Sequence, residues 1–217
     1  IDDLVVGVEY QGGMTGWLTQ KGSISADGKL TFTYLANANF NTRTATIKLS
    51  SAANSLSDEV ILTQAADKTI NVGGGTSLAD ALTAKGLSQE NVDALEIVGE
   101  LTAADWALLK TMASSKSLKD IDLAGVTNTT IPNSAFMNCT KLETLILPTN
   151  GNITYIPWEL CRNDANLKEI KIPEGVKYID RHAFAACSGL KEIWLPKSLE
   201  YSYGYTFEKT GIKKIHL

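Results

Sequence analysis

The sequence predicts a multidomain, mainly β protein: a small all-β sandwich at the N-terminus, followed by a capped solenoid of α/β type. Three observations lead there. From about residue 118 to the last residue, one six-residue pattern returns with small changes. It reads Leu118-Lys-Asp-Ile-Asp-Leu123, Leu142-Glu-Thr-Leu-Ile-Leu147, Leu167-Lys-Glu-Ile-Lys-Ile172, Leu190-Lys-Glu-Ile-Trp-Leu195 and Ile212-Lys-Lys-Ile-His-Leu217. The starts lie 22 to 25 residues apart, and self-similarity at that period marks stacked coils. Residues 1–67 instead show short alternating runs broken by turn signals. Between the two, residues 68–117 carry helical segments suited to covering the first coil, which has a face with no neighbour.

In the first segment, Ile24-Ser-Ala-Asp-Gly-Lys-Leu30 places Asp27-Gly28 between two extended runs, a hairpin signal. Leu30-Thr-Phe-Thr-Tyr-Leu35 alternates with period two. Thr42-Arg-Thr-Ala-Thr-Ile-Lys-Leu49 and Glu59-Val-Ile-Leu-Thr-Gln64 are rich in β-branched residues. Strands at this spacing predict a sandwich. No strand is read before Trp17.

In the second segment, Thr69-Ile-Asn-Val72 reads as a strand and Gly73-Gly-Gly75 as a turn. Ser77 to Lys85 is a helix, with Ser77 as N-cap, Asp80 at the third position and Gly86 just past the end. Leu95-Glu-Ile-Val98 resembles a degenerate first repeat strand. Thr102-Ala-Ala-Asp105 caps a second helix running through Trp106, Leu109 and Met112.

In each repeat of the third segment, residues 118–217, the first, fourth and sixth residues of L-x-x-L-x-L point inward. Stacked coils then form a ladder of Leu and Ile, each worth about 1.5–3 kcal/mol when buried. Phe136, Phe184 and Phe207 predict a second ladder behind the sheet. Pro148, Pro173 and Pro196 end strands, having no N–H to donate.

These repeats resemble the BspA-like leucine-rich-repeat family, common in bacterial surface proteins. The resemblance rests on Ile131-Pro-Asn-Ser-Ala135-Phe136-Met-Asn-Cys139-Thr-Lys-Leu142 and Ile179-Asp-Arg-His-Ala183-Phe184-Ala-Ala-Cys187-Ser-Gly-Leu190, with the prolines after the strands. The coil at 156–167 departs, with Trp158, Leu160 and Cys161 in place of the Ala-Phe pair. The last coil departs with Thr206-Phe207. Residues 1–67 resemble a BACON domain, an immunoglobulin-like β-sandwich found in secreted or lipid-anchored proteins. The matching residues are Trp17, Asn41-Thr-Arg43-Thr-Ala45-Thr-Ile47 and Val60-Ile-Leu62-Thr-Gln64-Ala65. Together the resemblances imply a bacterial cell-surface or secreted protein, with any lipid anchor lying upstream of this chain.

Composition limits the function classes. A net charge of −4 argues against nucleic acid as a partner. No apolar run has the length of a membrane span. The chain opens Ile1-Asp-Asp without Met or a basic-plus-apolar leader, so this ground alone does not separate cytoplasm from exterior. Cys139 and Cys187 sit at matching positions two coils apart, about 10 Å by strand spacing, beyond disulfide reach. With Cys161 they read as three buried small apolar residues.

No catalytic, metal or cofactor site is read. Gly73-Gly-Gly-Thr-Ser77 lacks the lysine and spacing of a phosphate loop. His182 and His216 lack partners at metal-ligand spacing. No G-x-S-x-G elbow exists, and the acid pairs lie at exposed positions. What remains is binding. By register, the open face of the repeat sheet carries Asp120, Asp122, Thr144, Ile146, Glu169, Lys171, Glu192, Trp194, Lys214 and His216. Lysines beside Glu169 and Glu192 make a self-paired, solvated face one reading. The other is a ligand strip of Ile146, Lys171, Glu192, Trp194 and His216 centred on an exposed Trp194, a residue type enriched at binding hot spots. Tyr203 and Tyr205, near the outer turn of the last coil, either bind sugars or protein or cover that coil. The expected partner is a host or matrix protein, or a glycan. The alternatives are a spacer within a surface complex and a glycan-binding module acting through the sandwich. A last strand ending at Leu217 presents an open edge, expected to pair with another copy or another protein unless the chain continues.

Overall fold

A computed structural model describes residues 4–11, 18–22, 25, 29–34, 43–51, 56–64 and 67–217. Backbone contacts divide the chain into two compact units, 1–67 and 68–217. Trp17, the Asp27-Gly28 turn, Asn41, Thr42 and Ala65 lie outside the described residues.

The first unit contains β1 (Leu4–Gln11), β2 (Leu18–Lys21), β3 (Thr31–Tyr34), β4 (Arg43–Ser51) and β5 (Leu56–Gln64). β4 lies between β1 and β5 in an antiparallel sheet, and β2 pairs antiparallel with β3. Period-two alternation sends Val6, Val8 and Tyr10 of β1 and Ala45, Ile47 and Leu49 of β4 to one face, where Leu18 and Phe32 of the second sheet meet them. The Tyr10 hydroxyl donates to Leu18 O across the two sheets at 2.9 Å. Strand β1, before Trp17, corrects the sequence reading. Its alternation of Val6, Val8 and Tyr10 was the available signal, diluted by Gly7 and exposed Val5.

The second unit opens with β6 (Thr69–Val72), α1 (Leu78–Ala84), β7 (Ala94–Gly99) and α2 (Ala103–Ser115). Ser77 Oγ accepts from Asp80 N at 3.1 Å. The helix closes with Leu87 N donating to Leu82 O and Gly86 N to Thr83 O, both at 2.9 Å. That is a Schellman end, which requires the positive φ of 68° at Gly86. α2 starts in a capping box of Thr102 and Asp105. Asp105 is buried yet fully used: it accepts from Thr102 N at 2.9 Å, Thr102 Oγ1 at 2.7 Å and Leu78 N at 2.7 Å. One carboxylate thus joins the starts of both helices.

The repeat strands follow as β8 (Asp120–Val126), β9 (Thr144–Ile146), β11 (Glu169–Lys171), β13 (Glu192–Trp194) and β15 (Lys214–His216). With β6 and β7 they form one seven-stranded sheet of consecutive parallel neighbours. Leu118, Ile121, Leu123, Leu142, Leu145, Leu147, Leu167, Ile170, Ile172, Leu190 and Ile193 are buried, the ladder that the repeat spacing predicts, but Ile215 and Leu217 of the last repeat, also expected inward, are exposed. Cap and repeats therefore share one sheet. Gly99 permits the junction: a Cβ there would lie 2.0 Å from Val72 O.

Behind the sheet, β10 (Tyr155–Ile156), β12 (Tyr178–Ile179) and β14 (Tyr201–Ser202) make a second, parallel three-stranded sheet. β10 and β12 lead into turn-rich segments whose N–H groups donate to the next coil, as do those of the turn at 134–138. Ser134, Phe136 and Asn138 donate to Trp158, Leu160 and Arg162; Glu159, Cys161 and Asn163 to Arg181, Ala183 and Ala185; Phe184 and Ala186 to Thr206 and Glu208. Phe184 stacks on Phe207 at 5.8 Å and 6°, as the Phe ladder predicts.

Candidate functional site

Strand pairing sets the open face of the seven-stranded sheet. One row runs Glu96, Asp122, Ile146, Lys171, Trp194, His216, each opposite the next. The parallel row runs Asp120, Thr144, Glu169, Glu192, Lys214. Four of the residues predicted for a ligand strip, Ile146, Lys171, Trp194 and His216, are therefore consecutive neighbours. The fifth, Glu192, is joined to them through His216.

Trp194 is half-buried rather than exposed. The His216 ring lies over it at a centroid distance of 4.4 Å and an interplanar angle of 2°. A carboxylate oxygen of Glu192 lies 2.8 Å from His216 Nε2 and 3.9 Å from Lys214 Nζ. The hydrogen bond from His216, with the charge of Lys214, holds the Glu192 carboxyl below the usual carboxylate range. Elsewhere the face is partly self-paired. Lys168 pairs with Glu143, which also lies 3.8 Å from Lys119, and these lysines keep the Glu143 carboxyl low. The expectation that Glu169 sits beside a lysine on the next strand is not met, because its cross-strand neighbours are Thr144 and Glu192. Neither Glu169 nor Lys171 makes an ion pair with a described residue. Beside Ile146, a shallow hollow of about 200 Å³ is lined by Lys68, Glu96, Asp120, Asp122 and Thr144, among others.

Tyr203 and Tyr205 belong to a different surface. Tyr205 stacks on His182 at 5.4 Å and 8°, and Tyr203 meets Tyr201 edge-on at 4.8 Å. Both are exposed. Tyr155, Tyr178 and Tyr201 stand in register beside them on β10, β12 and β14. The even spacing of Tyr155, Tyr178 and Tyr201, one per coil, was the signal that could have found this row.

Cys139, Cys161 and Cys187 are free and buried. Burial pushes the Cys187 thiol up to about 12 and raises those of Cys139 and Cys161 well above the ordinary thiol range. Asp164, at the repeat position of Cys139 and Cys187, is also buried. Its Oδ1 accepts from Cys139 N at 2.7 Å, while Oδ2 has no hydrogen-bond partner. Burial pushes its carboxyl up to about 8. Among the described residues, no group of three or more His, Cys, Asp or Glu side chains is placed to hold a metal ion. None of the described helices is long and apolar enough to cross a membrane.

A six-copy match to the BspA type leucine rich repeat region covers residues 110–217. Residues 110–217 are thus similar to BspA-type leucine-rich repeats. The strip of Trp194 and the tyrosine row both lie within the matched residues, on two different sheets. A crystal structure of a leucine rich cell surface protein from Faecalibacterium prausnitzii A2-165, at 1.80 Å resolution, is similar over 79% of this chain, with 21% identity and a TM-score of 0.40. The chain spans 37% of that protein's length. No curated protein matches the chain.

Proposed function

We propose that the BspA-type repeats serve as a non-catalytic binding surface of a bacterial cell-surface or secreted protein. A host or matrix protein is captured on the row Ile146, Lys171, Trp194 and His216. The observation that carries this reading is the stacked Trp194–His216 pair, fixed by Glu192 at the end of an in-register row. A large aromatic held in place before contact loses little side-chain freedom on binding, the usual character of a hot spot. Lys171, opposite Trp194 and without an ionic partner among the described residues, supplies a charge for the bound chain. Surface placement rests on the repeat family, which is common in bacterial surface proteins.

The test is binding of the whole chain to immobilised matrix proteins and to a glycan array, with Trp194→Ala beside the parent. Removal of a central aromatic anchor is expected to weaken protein capture by at least about tenfold, or 1.4 kcal/mol. Equal binding by both proteins would dismiss the Trp194 strip.

The second reading is a structural spacer in a surface complex. The Lys168–Glu143–Lys119 and Lys214–Glu192–His216 groups favour it, because they occupy part of the face internally. An immunoglobulin-like BACON role for residues 1–67, with glycan binding there, is a third. It rests on the resemblance and on the core shared by the two small sheets.

A further inference from the structure

Five of the chain's seven tyrosines, Tyr155, Tyr178, Tyr201, Tyr203 and Tyr205, lie in the coils of the three-stranded sheet, and all five are exposed. Their arrangement differs from that of the other aromatic ladders. Phe184 and Phe207 lie ring on ring, as do Trp194 and His216. Tyr155, Tyr178 and Tyr201 stand in register but make no ring contact with one another. Each of the first two reaches across to the following coil: Tyr155 Oη donates to Asp180, and Tyr178 Oη donates to Glu200 at 2.8 Å. Both rings span from their own strand to the next coil and remain exposed.

The ties matter for binding. Each hydroxyl–carboxylate bond holds a ring in one orientation, and Lys177 holds Glu200 in turn at 3.0 Å. Burial together with the Asp180 bond pushes the Tyr155 hydroxyl up to about 12, so it remains a donor across the physiological range. Rigid tyrosines give contact area at low entropic cost. The inward partners, Ile156 and Ile179, are buried, and the exposed large apolar residues of these coils are aromatic: Trp158 and the five tyrosines. Exposed aliphatic anchors, such as Ile146 and Ile215, lie on the other sheet.

We propose that this tyrosine row binds a neutral polysaccharide chain laid along the stacking axis. The C–H face of a sugar ring carries weak positive charge and fits the negative face of an aromatic ring. Sugar hydroxyls find acceptors in Asp180 and Glu200, and in the oxygens of Tyr155 and Tyr178, whose single protons are already given to those carboxylates. Asp180 and Glu200 beside the rings, on a chain of net charge −4, oppose an acidic polysaccharide. A linear polymer suits a site that repeats once per coil, because each coil adds an equivalent contact. This site is independent of the Trp194 strip.

The test is affinity electrophoresis of the whole chain in gels containing galactomannan, arabinoxylan, a linear β-glucan or polygalacturonate, compared with plain gels. Retardation is expected in at least one neutral gel and not in polygalacturonate. Tyr178→Ala and Tyr201→Ala are each expected to raise the dissociation constant at least tenfold. Tyr178→Phe keeps the ring and is expected to cost less than Tyr178→Ala. Trp194→Ala is expected to leave retardation unchanged, which separates this site from the protein-capturing strip. Matching melting curves for the variants and parent check the fold, and Tyr201→Ala, at the most exposed ring of the in-register row, stands in if Tyr178→Ala unfolds. Absence of retardation in every neutral gel, retardation by polygalacturonate alone, or equal retardation of parent and both alanine variants overturns the proposal. So does a protein ligand whose capture depends on these tyrosines when no neutral gel retards the chain.

Discussion

Two buried aspartates show how much one hydrogen bond decides. Asp105 has partners at both oxygens and ties two helix starts together. Asp164 has one oxygen served by Cys139 N and the other unpartnered among thiols. Its carboxyl therefore stays protonated in the folded chain up to about pH 8, against an ordinary value of 3.8. Because the native state holds a proton that the unfolded chain releases, this group favours folding fully below about pH 4. The contribution declines as pH rises to about 8, then is constant. By pH 7 the loss amounts to about 4 kcal/mol, at 1.36 kcal/mol per pH unit. Asp164→Cys, which restores the residue of the neighbouring coils, is expected to flatten that slope; urea midpoints between pH 4 and 9 measure it. The thiols invite a second check. Held as buried, protonated groups, Cys139, Cys161 and Cys187 are expected to resist a thiol reagent at pH 8 until denaturant is added. Rapid labelling of the native chain would contradict this. The sequence already showed an Asp at a Cys position, but not that the position is fully buried. It showed Trp194 on the open face, but not the His216 ring over it, although the strand register that pairs them was readable.

At the scale of elements, the main ladder was legible because its inward residues keep one period through five coils. The second sheet was not, since two-residue strands such as Tyr155–Ile156 carry no alternation to detect. The turns behind the sheet hide more. Ser134, Glu159, His182 and Tyr205 occupy one repeat position, and Asn138, Asn163, Ala186 and Lys209 another; all have φ between 54° and 69°. The left-handed region disfavours most L residues by about 1–2 kcal/mol each; Asn138, Asn163 and His182 are of types that tolerate it, but the rest of the list is not, so no shared residue type announces these turns. The bonds from these turns to the next coil hold the shape. Glycine suits that backbone, so Ala186→Gly is expected to leave the melting temperature unchanged or raise it, by up to about 1 kcal/mol in stability. Ala186→Val, β-branched at φ 60°, is expected to lower it clearly. Thermal unfolding followed by circular dichroism reads both.

For the molecule as a whole, each unit closes its own core. Leu18, Ala45 and Ile47 anchor the first, and the Leu and Ile ladder with Phe136 and Phe184 anchors the second. A boundary at residue 67 accordingly predicts that residues 68–217 produced alone keep the melting transition of the repeats in the whole chain. A large loss of that transition would place the boundary elsewhere. The repeat period made the second unit readable from sequence, because each coil restates the same inward pattern. The first unit has no such redundancy, and its β1 was missed.

The hydrogen bonds that the turns at 134–138, 159–163 and 184–186 send to another coil point one way, each N–H toward the following coil. The main sheet, as in any parallel sheet, sends bonds both ways: Glu143 N to Lys119 O, but Ile172 N to Trp194 O. Aligned peptide dipoles add, so the column of turns is electrically polar like a helix, positive toward the last coil and negative toward the first. Lys110 of α2 donates to Ser134 O at 2.7 Å, which brings a cation to the first turn, on the negative side of the column. Each further coil in such a column would lengthen the dipole on whose negative side Lys110 lies.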